Sequence, residues 1–194
     1  MKPARFRQPA LALLLALAFR AFPARADDSS PPLDPAAALA SLHVPEGFVI
    51  EQVAAEPLVL DPVAIDWGAD GRLWVAEMLD YPLGLDGQGK PGGRICFLED
   101  MDGDGRYDRS TEFLTGVAFP TGLMAWRDGV LVTAEGELFF ARDTSGDGRA
   151  DERHTIFSGF NPGNQQHRVN GLRWGMDGWV YLANGDSGGR IKSA

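Results

Sequence analysis

Two short stretches concentrate the ligand chemistry of this chain: Asp100-Met-Asp-Gly-Asp-Gly-Arg-Tyr-Asp108 and Asp143-Thr-Ser-Gly-Asp-Gly-Arg-Ala-Asp151. Acids at loop positions 1, 3, 5 and 9 with glycine at 6 match the oxygen-rich first part of a calcium loop. The candidate metal ligands are Asp100, Asp102, Asp104 and Asp108 in the first loop, with the Arg106 carbonyl. In the second they are Asp143, Ser145, Asp147 and Asp151, one charge fewer. A complete EF-hand places Glu at position 12, where this chain has Thr111 and His154. The competing reading is turn chemistry without metal, since Asp and Gly are ordinary turn residues. A third feature is His167, at the entrance to an apolar segment. An imidazole titrating near neutrality suits base catalysis, although a lone histidine is more often a surface or structural residue.

The loops recur at a spacing within the roughly 40–50 residues of one β-propeller blade. A second repeat agrees. Ile65-Asp-Trp-Gly-Ala-Asp-Gly-Arg-Leu-Trp-Val-Ala-Glu77 is echoed by Met124-Ala-Trp-Arg-Asp-Gly-Val-Leu-Val-Thr-Ala-Glu135 and by Leu172-Arg-Trp-Gly-Met-Asp-Gly-Trp-Val-Tyr-Leu-Ala-Asn184. Each copy reads strand, Asp-Gly turn, strand. The blades follow as inner strands over 63–67, 121–126 and 169–174, and second strands over 72–77, 130–134 and 179–183. Third strands fall at 94–99 and 138–143, with another beginning near Arg190, and outer strands at 111–115 and 153–158. The expected fold is all-β: about two and a half four-stranded blades from a ring of about six. In this scheme Trp67, Trp126 and Trp174 pack between blades. The chain reads as the N-terminal piece of a longer protein.

Consecutive antiparallel strands alternate direction, so the topology sorts the loops. Both acidic loops share one face with the Asp-Gly turns. The segments Met78–Gly93, Gly159–Val169 and Gly185–Gly189 fall on the other, richer face, where loops on a rigid scaffold usually carry function. Calcium on the far face would therefore be structural. Glu77 and Glu135 end second strands on the loop-rich face and read as solvated strand ends.

The composition narrows the partners and the compartment. The 194 residues carry a formal net charge of −9, a poor footprint for nucleic acid. Residues 1–26 read as a signal peptide, with Lys2, Arg5 and Arg7 before an apolar run and Ala24-Arg25-Ala26 as the cleavage site. An uncleaved membrane anchor is the alternative, and export to the periplasm or exterior follows either way. Residues 27–45 form a Pro- and Ala-rich linker, and 46–194 the propeller segment. Cys96 is the only cysteine and lies in an apolar run, so it reads as a buried hydrophobe. No Cys-x-x-Cys-His occurs.

The order His167, then Gly171-Leu-Arg-Trp-Gly-Met-Asp-Gly-Trp-Val-Tyr181, then Gly185-Asp-Ser-Gly188 resembles the soluble glucose/sorbosone dehydrogenase propellers. Residues 44–62, the stretch Leu73-Trp-Val-Ala-Glu-Met-Leu-Asp-Tyr-Pro82 and both acidic loops are similar to the membrane-bound dehydrogenase proteins of planctomycetes and verrucomicrobia. The resemblance spans about residues 44–190. It implies a propeller using pyrroloquinoline quinone, with His167 as the base taking a hydroxyl proton and Asp186 orienting it. It also implies a sugar or alcohol substrate and a cytochrome c domain, downstream or in a partner. It leaves the quinone-binding residues unassigned. The alternatives are a non-catalytic, calcium-stabilised propeller that binds carbohydrate or protein, and a lactonase-like metal hydrolase.

Overall fold

The computed structural model describes residues 31–186 and 188–194; the expected signal peptide over 1–26 and the start of the expected linker lie outside them. A short helix, α1 (Pro35–Ser41), opens the unit Asp34–Ala194. Asp34 caps it by accepting from the Ala37 amide at 2.9 Å, and proline fits its first turn because no amide partner is needed there. Among the described residues no helix is long and apolar enough to cross a membrane.

After α1 the described residues form strands and their connections, one of which contains a short 3-10 turn. β1 (Pro62–Trp67), β2 (Leu73–Glu77), β3 (Gly93–Glu99) and β4 (Arg109–Val117) form one antiparallel sheet in sequence order. β5 (Pro120–Trp126), β6 (Gly129–Ala134), β7 (Glu137–Arg142) and β8 (Glu152–Phe160) form the second. β9 (Asn170–Trp174) pairs with β10 (Val180–Ala183) in a third. The sheets are not closed into a ring; the fold is a partial, propeller-like all-β structure.

Burial explains why the second strand of each full blade is so apolar. All five residues of β2 and all six of β6 are buried, as expected for strands covered on both faces. Trp74, Phe97 and Phe113 of the first blade mesh with Leu123, Val132 and Phe139 of the second. Their rings meet at an angle, with Trp74 and Phe113 centroids 4.8 Å apart at 88°. Met124, Leu131, Leu138 and Phe160 then pack against Val169 and Leu172 of the third. The entry segment covers the other side of the first blade, laying Ala54, Leu58 and Val59 over Leu73, Val75 and Leu98.

Two expectations need correction. The strand near Arg190, β11 (Gly189–Ser193), does not extend the third blade. It pairs antiparallel with β8, matching Gly189 to Phe160 and Ser193 to Phe157. The pairing is tight enough to require glycine on both strands. A Cβ on Gly159 would sit 2.2 Å from the Arg190 carbonyl oxygen, and one on Gly189 2.3 Å from that of Gly159. Two of the three inner-strand tryptophans also do not seal the blades. Trp67 and Trp174 are more than half exposed, Trp67 donating to the Tyr107 hydroxyl at 3.0 Å. Trp126 does seal the blades, packing against the apolar cluster shared by the second and third blades and edge-on to Phe140.

Candidate functional site

The loop-rich face gathers residues from three connections. The β8–β9 connection contains a single 3-10 turn, Gln165–His167. Asn164 starts it by accepting the Gln166 amide on its side chain at 3.0 Å and the His167 amide on its carbonyl at 2.9 Å. Gln166 donates to the Tyr81 hydroxyl at 2.9 Å, and Gln165 donates to the Pro82 carbonyl. The turn is thereby tied to the long β2–β3 connection of the first blade.

His167 and Asp186 meet. Nδ1 of the imidazole lies 2.9 Å from Oδ1 of the carboxylate. An ionised carboxylate can only accept, so Nδ1 carries the proton, and in the neutral ring Nε2 then keeps its lone pair. Both side chains are partly exposed, leaving room for a substrate against Nε2. Gly185 allows the approach, because a Cβ there would lie 2.2 Å from the His167 carbonyl oxygen. The two loops are also joined by the Asn161 amide donating to the Gly188 carbonyl at 3.0 Å.

Beside this pair a cleft of about 470 Å³ opens where the inner strands begin. Asp61, Met78, Tyr81, Thr121, Gln166 and Asn170 are among its walls; His167 is not. Asp61 holds a left-handed backbone conformation, with φ of 43°, rare for a residue with a side chain.

Sequence reasoning missed three buried charges on this face. Glu77 is fully buried rather than solvated. It accepts from the Leu60 amide at 2.8 Å and pairs with Arg94, its register partner on β3. The Cys96 thiol lies 3.6 Å from the same carboxylate, and burial, reinforced by that charge, pushes its pKa up to about 12. Asp80 is buried, its Oδ2 accepting from Gly92 at 3.1 Å and Phe119 at 2.9 Å. Arg168 is buried next to His167. The signal for Glu77 was present: a glutamate ending an apolar strand faces an arginine opening the next. Glu135, by contrast, is exposed.

The acidic loops lie on the opposite face, between β3 and β4 and between β7 and β8. In the first, one carboxylate oxygen each of Asp100, Asp102 and Asp108 falls within 4.8 Å of the others. Asp104 stands outside that group, accepting the Arg106 amide at 2.8 Å. In the second, Asp143 accepts from Gly146 at 2.6 Å and Gly148 at 2.7 Å. Asp147 accepts from Arg149 at 2.9 Å, Asp151 from Thr144 at 2.9 Å, and the Ser145 hydroxyl donates to Asp143 at 3.2 Å. Three carboxylates do not converge there among the described residues. Backbone amides hold Asp100, Asp143 and Asp151 below the usual carboxylate range, Gly105, Gly148 and Thr144 contributing most to each in turn.

No curated protein and no solved structure matches the chain. A family model described as a domain of unknown function, DUF7133, matches residues 34–194, beginning at the residue that caps α1. With that match over most of its length, the chain belongs to the DUF7133 family.

Proposed function

We propose that this segment is the base-bearing part of an exported, quinone-dependent sugar or alcohol dehydrogenase. The observation that carries the reading is the 2.9 Å approach of Asp186 to Nδ1 of His167. Asp186 fixes the tautomer, and Nε2 of His167 takes the proton of a substrate hydroxyl. The resulting imidazolium is stabilised by the carboxylate, which keeps the proton on the ring. When bound, pyrroloquinoline quinone supplies the hydride acceptor. It is a polycarboxylate, and the described residues do not form a cradle for it. Asp61, Asp80, Glu135 and Asp186 make this face acidic. Arg94 is taken by Glu77 and Glu112, and Arg168 by the Pro162 carbonyl and the Phe119 ring. The second reading is a non-catalytic propeller that binds carbohydrate or protein, and the cleft beside the pair, whose walls do not include His167, favours it.

Reconstitution with pyrroloquinoline quinone and calcium, followed by dye-linked oxidation of a sugar and alcohol panel, tests the proposal. Turnover supports it, and binding of a panel member without turnover supports the second reading instead. In that assay Gly185→Ala should lose roughly 10²-fold in activity with the substrate still bound, because misplacing the base by about 1 Å costs that much. Unchanged turnover would show that Gly185 does not set the spacing of the pair.

We further propose structural calcium at Asp100, Asp102 and Asp108. Their convergence and charge fit a hard cation, with water and carbonyl oxygens completing the shell. Calcium at 100 times its dissociation constant should add about 2.7 kcal/mol of stability. Asp102→Ala should remove most of the calcium-dependent rise in melting temperature, while Asp147→Ala should remove little. A melting curve indifferent to calcium sinks this assignment.

A further inference from the structure

Arg168 stands next to the proposed base, and little of it reaches solvent: 7% of the residue is exposed. Its Nε donates to the Pro162 carbonyl at 2.7 Å, across the loop that carries His167. The guanidinium lies over the Phe119 ring, 4.9 Å from its centroid. Phe119 in turn donates its amide to Oδ2 of Asp80 at 2.9 Å. These contacts chain Pro162, Arg168, Phe119 and Asp80 together, joining the His167 loop to the β4–β5 corner and the β2–β3 connection. Phe119 holds a left-handed backbone, with φ of 45°, which such a ring does not adopt without support.

The charges at the two ends match. Burial pulls the Arg168 pKa down, and Glu135 and then Asp80 are the carboxylates whose charge opposes that pull. Nη1 of Arg168 and Oδ1 of Asp80 are both buried without a hydrogen-bond partner among the described residues. Each is costly to leave open, and Phe119 links the two side chains, its ring against Arg168 and its amide on Asp80. The carbonyl of Arg168 also accepts from the Asn170 side chain at 3.1 Å, fixing the start of β9.

We infer that Arg168 is a positioning residue for His167, held in place by the Pro162 carbonyl and the Phe119 ring and tied through Phe119 to buried Asp80. Arg168 touches no reacting atom in this arrangement. It anchors the loop so that Nδ1 of His167 stays on Asp186 and Nε2 faces outward. The inference deepens the dehydrogenase reading and rests on it for its catalytic meaning, while the anchoring itself is measurable without turnover.

The test is nitrogen NMR of the His167 ring in the 194-residue chain, labelled on histidine and assigned by loss of its signals in His167→Gln. Wild type should show one neutral tautomer, protonated at Nδ1. Arg168→Met and Asp80→Asn should each give averaged ring signals from both tautomers, and Arg168→Lys should restore most of the Nδ1–H signature by restoring the charge. Thermal melts complete the cycle: Asp80→Asn/Arg168→Met should melt above Arg168→Met alone, since no uncompensated carboxylate remains. If Arg168→Met fails to fold, Asp80→Asn and Arg168→Lys carry the comparison. An unchanged His167 ring in Asp80→Asn, or in Arg168→Met where it folds, would overturn the inference, as would additive melts. Intact positioning with no turnover on any substrate would sink the dehydrogenase reading alone.

Discussion

His167→Ala in the reconstituted protein should lower turnover by about 10²–10⁴-fold, the usual worth of a positioned general base. The melting temperature should barely change, because the imidazole is about half exposed and, among the described residues, its one side-chain partner is Asp186. Asp186→Asn separates the roles within the pair. An amide can donate to Nδ1, which would move the ring proton to Nε2 and block the lone pair that takes the substrate proton. The asparagine variant should therefore lose most of the activity while keeping the substrate affinity. Full turnover in His167→Ala would remove His167 from the chemistry, and the Asp186 argument with it.

The largest stability effect should come from Glu77. Removing one member of a buried ion pair costs about 3–5 kcal/mol, because the remaining charge stays out of water. Glu77→Ala would strip Arg94 of its buried partner and leave the Leu60 amide without its acceptor. Arg94 keeps Glu112, which holds the loss toward the lower end. With about 2–4 °C per kcal/mol for a domain of this size, the melting temperature should fall by roughly ten degrees. Glu77→Gln should fall less, since the amide oxygen can still accept from Leu60. Equal losses in both variants would show that the charge, rather than volume or the Leu60 acceptor, is what matters at this position.

The repeats made the architecture legible. An Asp-Gly turn between apolar runs fixes a hairpin locally, so β1–β2, β5–β6 and β9–β10 could be placed from neighbouring residues alone. The pairing of His167 with Asp186 was reachable only by resemblance, because nothing in the spacing of the two residues brings their loops together. The partner of β11 was not legible. Its pairing with β8 depends on the crossing of Gly159 and Gly189 in space, and a glycine in sequence does not say which backbone it will meet. Burial of Glu77, Asp80 and Arg168 was hidden for a related reason. Each lies at a strand end or in a connection that would be solvated on a lone blade. It becomes interior only when a neighbouring blade or loop folds over it.

The β8–β11 pairing has a mechanical consequence. The loop bearing His167 leaves β8 at Phe160, and the loop bearing Asp186 ends at Gly189, the register partner of Phe160. Acid and base therefore hang from one clasp, which closes both loops into a single covalent and hydrogen-bonded ring. Their encounter becomes an intramolecular event at high effective concentration, set by main-chain pairing rather than by the exposed side chains themselves. A solvent-facing His–Asp pair would otherwise contribute little order of its own. Here the sheet does the gathering, and the side chains have only to choose the tautomer.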